Sequence, residues 1–198
     1  RRHSGWRNEV DRQHHLLMVQ LQESGLPTWA QVSERRFAHI QRVTSLLRAW
    51  GAAMRIPAEE ANAWIDAGTW HDALRDAPVE ELREITGDRT SPDGLLHGPA
   101  VAKKLEAEGE RRRDLIEAIR YHTVGHANWS QTGRALYMAD YLEPGRKFLA
   151  EDRGFLASQV PHNFDGVFRQ VVRFRLEWSV REGNHIFPET VELWNSLR

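Results

Sequence analysis

Helical periodicity, broken at intervals by proline and glycine, is the feature that most constrains how this sequence can fold. Apolar residues recur every three or four positions in segment after segment, the spacing that places them on one face of a helix. Residues 36–50 show the pattern, with Val43, Leu47 and Trp50 on one face and Gly51 as a stop. We find no convincing strand pattern, since no segment alternates apolar and polar residues over several positions. The sequence therefore predicts an all-α fold.

Length and charge limit the domain organisation and the partners. A chain of 198 residues is long enough for one domain with a real core and short for two. We predict one helical domain over residues 25–198, preceded by an N-terminal extension or helix over residues 1–24, where the periodicity is least regular. The 27 Lys and Arg residues nearly balance the 28 Asp and Glu residues, so no global field favours nucleic acid or a membrane surface. Any anionic ligand would have to be bound locally.

Cysteine is absent from the sequence, which excludes disulfides, thiolate metal sites and a cysteine nucleophile. Any bound metal would therefore rest on histidine and carboxylate ligands. No stretch approaches the roughly 18 consecutive apolar residues of a membrane span, and the first residues, RRHSGWRNEV, lack the apolar core of a signal peptide. We expect a cytoplasmic monomer or homodimer that binds neither nucleic acid nor membrane.

Several ionisable residues occupy positions where the helical period predicts apolar packing. His122, for example, continues the stripe of Leu115 and Ile119. Each such residue alone has an ordinary explanation as a core histidine, a helix cap or an arginine partner. Burying several of them unpartnered would cost several kcal/mol each, about the cost of any buried unpaired charge, so together they are best explained by a shared cation. With His97 at the end of the loop over residues 86–98, the candidate ligands are His39, His71, Asp72, His97, His122 and Asp140.

Six ligands indicate two metal ions rather than one. Four of them would satisfy one octahedral ion with positions left for water: His39, His71, Asp72 and Asp140. His97 and His122 supply two more ligands, and Asp72 can bridge. Imidazole and carboxylate suit divalent iron, manganese, zinc or magnesium. Two such ions about 3.5–4 Å apart can share a hydroxide and lower its pKa, which suits attack at phosphorus.

These residues resemble the HD-domain metal-dependent phosphohydrolases, which are named for the His-Asp doublet. The motifs LLHGP, YHTVG and ADYLEPGR narrow the resemblance to the bacterial HD-domain symmetrical bis(5'-nucleosyl)-tetraphosphatases. Matching stretches run from RRFAHIQRV to IFPETVELWN. The resemblance implies an HD-domain helical bundle in which the same six residues hold two metal ions, with iron as the metal. It also implies symmetrical hydrolysis of diadenosine tetraphosphate to two ADP by a metal-bridging hydroxide.

Three positions depart from the pattern of that family. Arg75 stands where the family usually has lysine, which keeps the charge but changes the reach. Thr69 and Trp70 precede the doublet in place of leucines, and Phe187 replaces histidine in the closing His-Pro. None of these changes removes a predicted ligand, so they bear on substrate preference rather than on activity.

Further residues around the motifs are predicted to serve the substrate. Arg75 and Arg146 would hold phosphate oxygens with their planar guanidinium groups, although a surface salt bridge is the alternative for each. Besides Asp72 and Arg75, we predict a catalytic role for Asp76, which would position water or bind Arg75. The remaining predicted substrate-binding residues are Gly98, Thr123, Gly125 and His126. The other histidines are predicted to be surface or packing residues: His3, His14, His15, His162 and His185.

Two other functions fit the same residues. A nucleotidase or another HD-type nucleotide phosphohydrolase would use the same metal ligands on a different substrate. A non-catalytic nucleotide sensor would keep the pocket and signal through a partner. The products of turnover distinguish the first alternative, and the absence of turnover distinguishes the second.

Overall fold

The computed structural model describes residues 25–146 and 149–197, which form α-helices, one short 3-10 helix and no strand. The predicted all-α, single-domain fold is confirmed, and residues 1–24 lie outside the described residues. The elements are α1 (Glu34–Met54), α2 (Ala58–Trp70), α3 (Val79–Thr86), the 3-10 helix (Asp93–Leu95), α4 (His97–Ala107), α5 (Arg113–Tyr121), α6 (Gln131–Leu142), α7 (Ala150–Gln159), α8 (Phe164–Arg181) and α9 (Pro188–Ser196). Within the described ranges, no helix is long and apolar enough to cross a membrane.

Helices α1 and α2 pack closely because of a glycine at their contact. Ser33 begins α1 by accepting a hydrogen bond from the Arg36 amide, and the left-handed residue Arg55 ends it. A Cβ atom on Gly68 of α2 would collide with Thr44 and Leu47 of α1. The glycine therefore lets the two backbones approach each other, which brings the end of α2 near the middle of α1.

Helix α6 is the central element of the fold. It contacts α1, α2, α5, α7 and α8, and most of its residues are buried. Tyr137 of α6 packs edge-to-face against Phe168 of α8, at a ring distance of 6.1 Å. Asp140 follows Leu136 on the same helix by one turn, so the central helix carries a carboxylate from the apolar core toward the neighbouring helices.

Some elements differ from the sequence-based expectation. Helix α4 begins at His97, two residues before the expected start at Pro99, because proline in a first turn removes only an amide that has no helical partner. Helices α7 and α9 were not predicted. Each buries a single residue, Arg153 in α7 and Leu193 in α9, so neither shows a continuous apolar stripe.

Candidate metal centre

The six candidate ligands, which are far apart in the sequence, lie together in the fold. One comes from α1, two follow directly after α2, one opens α4, one follows α5 and one lies near the end of α6: in that order His39, His71 and Asp72, His97, His122, and Asp140. Five of them are buried, and the side chain of Asp140 is 13% exposed. The helix packing described above therefore assembles the predicted cluster.

The ligand atoms form two groups of three. His39, His71 and Asp140 make the first triad, and their ligand atoms lie within 4.8 Å of one another. Asp72, His97 and His122 make the second triad by the same measure. Each triad supplies three nitrogen or oxygen donors of the kind that divalent metals prefer. Two adjacent sites, rather than one, are therefore available to a metal.

Asp72 joins the two triads through its two carboxylate oxygens. Its Oδ2 atom lies 3.7 Å from His39 Nε2 and 3.6 Å from His71 Nε2, in the first triad. Its Oδ1 atom lies 3.1 Å from His97 Nε2 and 3.5 Å from His122 Nε2. One oxygen thus faces each triad, which is the arrangement of a bridging carboxylate.

Backbone carbonyls orient two of the histidine rings. His71 Nδ1 donates to the Gly68 carbonyl at 2.8 Å, and His122 Nδ1 donates to the Ile119 carbonyl at 2.7 Å. A carbonyl oxygen only accepts, so each ring carries a proton on Nδ1. The lone pair on Nε2 then points into the cluster, as in histidines that bind metals.

Several ring nitrogens in the cluster lack a partner of their own. His71 Nε2 is buried and makes no hydrogen bond among the described residues, whereas His39 Nε2 lies 3.2 Å from Asp140 Oδ1. His97 Nε2 and His122 Nε2 face each other at 3.0 Å. Buried polar atoms without partners are costly, and a cation between the rings would satisfy them. The donor set and its unpartnered atoms therefore fit divalent metal ions.

The protonation states in the cluster also bear on whether it can bind divalent metal ions. Complete burial lowers the pKa of His71 to about 4, and burial also lowers the pKa of His97, so both rings are neutral near pH 7 and could accept a metal ion. Burial opposes protonation of His39, but its contacts with Asp140 and Glu143 outweigh burial and raise its pKa to about 9. Metal binding requires an unprotonated nitrogen, so a bound ion would displace the proton of His39.

Glu143, just after α6, supports His39 from behind. Its carboxylate Oε1 lies 3.2 Å from His39 Nδ1. Its Oε2 accepts hydrogen bonds from the Arg42 side chain and from the Gly145 amide, the latter at 2.7 Å. Carboxylates behind ligand histidines fix the ring and raise its basicity. Glu143 therefore aims His39 Nε2 into the first triad.

An arginine-lined cavity of about 310 Å³ opens onto the cluster, and we call it the polar pocket. Arg36 Nη1 donates to Asp72 Oδ2 at 2.6 Å, and Arg146 Nη2 donates to Asp140 Oδ1 at 2.9 Å. A carboxylate oxygen has two lone pairs, so these contacts are compatible with metal coordination. Although the chain as a whole has a formal net charge of −1, the described residues concentrate cations here: Arg35, Arg36, Arg42, Arg75, Arg146 and Arg175.

Comparison with known proteins agrees with this geometry. The profile of the HD domain matches residues 36–145, more than half of the chain. The chain belongs to the HD-domain family.

Two curated relatives of this HD-domain chain carry the same name. The symmetrical bis(5'-nucleosyl)-tetraphosphatase of Bacillus subtilis is 28% identical over 175 residues, which cover 84% of this chain and 91% of the relative. The protein of that name from Halalkalibacterium halodurans is 27% identical over 139 residues, covering 66% of this chain and 73% of the relative.

A solved structure shows the same fold. It is a predicted HD superfamily hydrolase involved in NAD metabolism from Clostridium acetobutylicum, with a TM-score of 0.71 and 24% sequence identity. The match covers 84% of this chain and 90% of that one. The helical bundle is thus the HD fold, as the sequence predicted.

The structure also places the other predicted site residues of this HD domain. Arg75, Thr123 and Arg146 line the polar pocket. Asp76 does not line it, because its carboxylate accepts hydrogen bonds from the Ser33 amide at 2.8 Å and hydroxyl at 2.7 Å. Asp76 therefore stabilises the start of α1 and binds neither Arg75 nor the cluster in this structure.

Three further predicted residues lie outside the polar pocket. A Cβ atom on Gly98 would meet the Ile119 carbonyl and the ring of His122, so this glycine allows close packing behind a ligand. Gly125 has a φ of +93° and packs against Leu193. His126 stacks on Tyr121, at a ring distance of 4.7 Å, and borders a separate surface cavity. Their positions favour packing roles over the predicted contacts with phosphate.

Sequence reasoning missed six residues of the pocket: Arg35, Arg36, Arg42, Gly94, Glu143 and Arg175. A signal for three of them was present. Arg36 and Arg42 lie one turn to either side of His39, and Arg175 lies one turn after the buried Val171. These arginines could therefore have been predicted as site residues by the criterion used for the histidines, which is an ionisable residue at an inward position of a helix.

Proposed function

We propose that this protein is a metal-dependent hydrolase of dinucleoside polyphosphates that cleaves diadenosine tetraphosphate symmetrically into two ADP. Membership of the HD-domain family and the names of its curated relatives support hydrolase chemistry on a nucleotide. The geometry supports a phosphate-bearing substrate, because a His/Asp cluster lies at the base of an arginine-lined pocket.

The observation that carries the proposal is the position of Asp72 between two triads. Its oxygens face different histidine pairs, so we propose two metal ions, held by His39, His71 and Asp140 on one side and by His97 and His122 on the other, with Asp72 shared. Iron is the proposed metal, with manganese, magnesium and zinc as alternatives of suitable chemistry. When bound, two such ions supply a hydroxide at neutral pH and neutralise charge that develops on the phosphoryl oxygens.

The residues of the chain itself would hold the substrate. Arg75, Arg146 and Arg175 line the polar pocket beside the cluster, where their guanidinium groups can bind phosphate oxygens in pairs. Asp140 already bonds Arg146 and lies 3.7 Å from Arg175, so it holds both cations at the first triad. The pocket would therefore neutralise the polyphosphate and orient it for attack at an inner phosphorus.

A nucleotidase or another HD-type nucleotide phosphohydrolase remains the alternative closest to this proposal, because it would use the same ligands. A nucleotide sensor without turnover is the alternative from another class, and the complete ligand set argues against it. We also propose that the protein acts in the cytoplasm as a monomer or homodimer.

Product identity tests the proposed function. The metal-loaded protein is incubated with diadenosine tetraphosphate, and the products are separated by ion-exchange chromatography over the course of the reaction. We expect ADP as the sole nucleotide product from the earliest time point. AMP together with ATP would show asymmetric cleavage and would contradict the proposal, as would the absence of turnover with manganese or iron present.

A further inference from the structure

A second cavity, of about 930 Å³, adjoins the polar pocket, and we call it the apolar cavity. Its walls include aromatic and aliphatic side chains from α6, α8 and the segment before α9: Tyr137, Tyr141, Trp178, Ile186 and Phe187. Its volume is in the range of ordinary small-molecule sites, about 300–1,000 Å³. The cavity is therefore large enough for an organic group that the polar pocket does not suit.

The two cavities lie directly beside each other. They share wall residues, among them Thr123, Asp140 and Arg175. Arg175 is fixed at this junction, because its Nη2 donates to the Thr123 carbonyl at 2.9 Å and its guanidinium lies over the Tyr137 ring at 4.1 Å. A ligand that extends from the cluster into the apolar cavity would thus pass a fixed cation at the boundary between charged and apolar walls.

Trp178 is the most exposed of the tryptophan, tyrosine and phenylalanine side chains in the cavity wall. It is 49% exposed on α8, where the buried apolar residues lie on turns nearer the start of the helix. In the segment before α9, His185 and Phe187 make an edge-to-face contact at 4.8 Å, and both line the cavity. Half-exposed aromatic surface beside a concave wall is typical of sites that stack planar groups.

We infer that the apolar cavity binds one nucleoside of the substrate, with its base against Trp178 and Phe187 and its phosphates leaving past Arg175 toward the metal centre. This inference rests on the proposed function, since a dinucleoside polyphosphate joins an apolar planar group to a highly charged chain. The order of the walls matches that chemistry: aromatic in the cavity, cationic at the junction and metal-binding at the cluster. His185 and Phe187, outside the predicted site, would then belong to the substrate site.

Two non-hydrolysable ligands that differ by a nucleoside test the inference. Methylenediphosphonate carries the phosphate chemistry alone, and α,β-methylene-ADP adds adenosine. Binding of each to the manganese-loaded full chain is measured by calorimetry. We expect the wild-type protein to bind the nucleotide more tightly than the diphosphonate. Trp178→Ala should weaken nucleotide binding about tenfold, the effect of removing one base–aromatic stack, and leave diphosphonate binding unchanged.

Two further variants make the test specific. Phe187→Ala should have the same selective effect as Trp178→Ala, because it removes the other aromatic wall. Val180→Ala changes an exposed residue of α8 that does not line the cavity, and it should alter neither affinity. Equal affinity of the wild type for both ligands would overturn the inference. An unchanged nucleotide affinity in both aromatic variants, or a parallel loss of both ligands, would also overturn it.

This result is separable from the proposed function. Selective binding of the nucleotide together with asymmetric products from diadenosine tetraphosphate would keep the nucleoside site and refute symmetrical cleavage. Production of ADP alone, with no effect of the aromatic variants on nucleotide affinity, would keep the proposed function and refute the nucleoside site.

Discussion

Charged side chains are concentrated in two regions of this molecule. The two regions differ in whether the polar groups find hydrogen-bond partners within the region. In the surface ion cluster, formed by Asp66, Glu110 and Arg112, the guanidinium binds Glu110 through two nitrogens and Asp66 through the third, at 2.6–3.1 Å. In the candidate metal centre, His71 Nε2 is buried without a hydrogen bond among the described residues, and His97 Nε2 and His122 Nε2 face each other at 3.0 Å. Charged groups whose hydrogen bonds are all made within the cluster indicate a structural role. Buried polar groups that are left without such partners indicate a site for a ligand.

The largest expected difference between the two regions is in metal content and turnover, and it is seen by comparing the variants Asp72→Ala and Asp66→Ala. Loss of the carboxylate that we propose to bridge the two ions should remove bound metal and lower kcat/KM at least about 1,000-fold, because metal ions contribute several kcal/mol to such reactions. Asp66→Ala changes the surface ion cluster and should keep both the bound metal and the parent kcat/KM. Metal content by mass spectrometry and turnover of diadenosine tetraphosphate check the pair, and Asp72→Asn provides an isosteric second variant. Parent activity in Asp72→Ala would contradict a two-metal reaction.

Metal addition should stabilise the protein only when the metal centre is intact. Manganese at 100 times its dissociation constant should stabilise the wild type by about 2.7 kcal/mol, or roughly 5–10 °C in Tm for a domain of this size. Asp72→Ala should show little shift, and Asp66→Ala should respond as the wild type does. Thermal unfolding followed by circular dichroism, with and without manganese, measures this. Equal shifts in both variants would mean that the metal binds elsewhere.

Arg146→Ala should raise KM about tenfold with little change in kcat, because one charge-assisted hydrogen bond to phosphate is worth about 1.5–3 kcal/mol in binding. Arg112→Ala removes a cation from the surface ion cluster and should leave KM unchanged. Steady-state kinetics at low salt compares the two variants. An equal effect on KM would show that general positive charge, rather than the polar pocket, attracts the substrate.

Glu110→Gln should have the smallest effect, and its sign depends on pH. Its hydrogen bond with Arg112 lowers the pKa of Glu110 to about 2, below the unfolded value of about 4.3. The charge therefore stabilises the fold above the unfolded pKa, and this stabilisation is lost as the pH falls through the folded pKa. The variant should lose about 0.5 kcal/mol at pH 7, as is usual for an exposed pair, and less at pH 3. Urea unfolding at the two pH values checks it, and an equal loss at both would contradict the charge-based explanation.

Five of the six candidate ligands could be predicted because helical periodicity is a local property, and His97 was added from the loop over residues 86–98. An ionisable residue on an apolar stripe, such as His122 after Leu115 and Ile119, is visible without knowledge of tertiary structure. The adjacency of the two triads depends on the tertiary structure. The number of ionisable residues at inward positions had nevertheless already indicated a shared site. The all-α fold and the HD family followed from the same periodicity and from the motifs around the ligands.

The pocket residues were harder to predict for physical reasons. Arginine has a long side chain that can reach solvent from an inward position, so the spacing of Arg175 after Val171 indicated its face of α8 but not that its guanidinium lines the polar pocket. Glu143 lies beyond the end of α6, where helical spacing no longer applies. The apolar cavity joins segments that are distant in sequence, and no local pattern in them shows that they meet.

Anomalous diffraction from a crystal of the metal-loaded protein tests the central claim most directly. Data collected on both sides of the metal absorption edge locate each ion independently of any assumption about its ligands. We expect two peaks about 3.5–4 Å apart, one among His39, His71 and Asp140 and one beside His97 and His122, with Asp72 between them. A single peak, or peaks away from these residues, would contradict the two-metal centre.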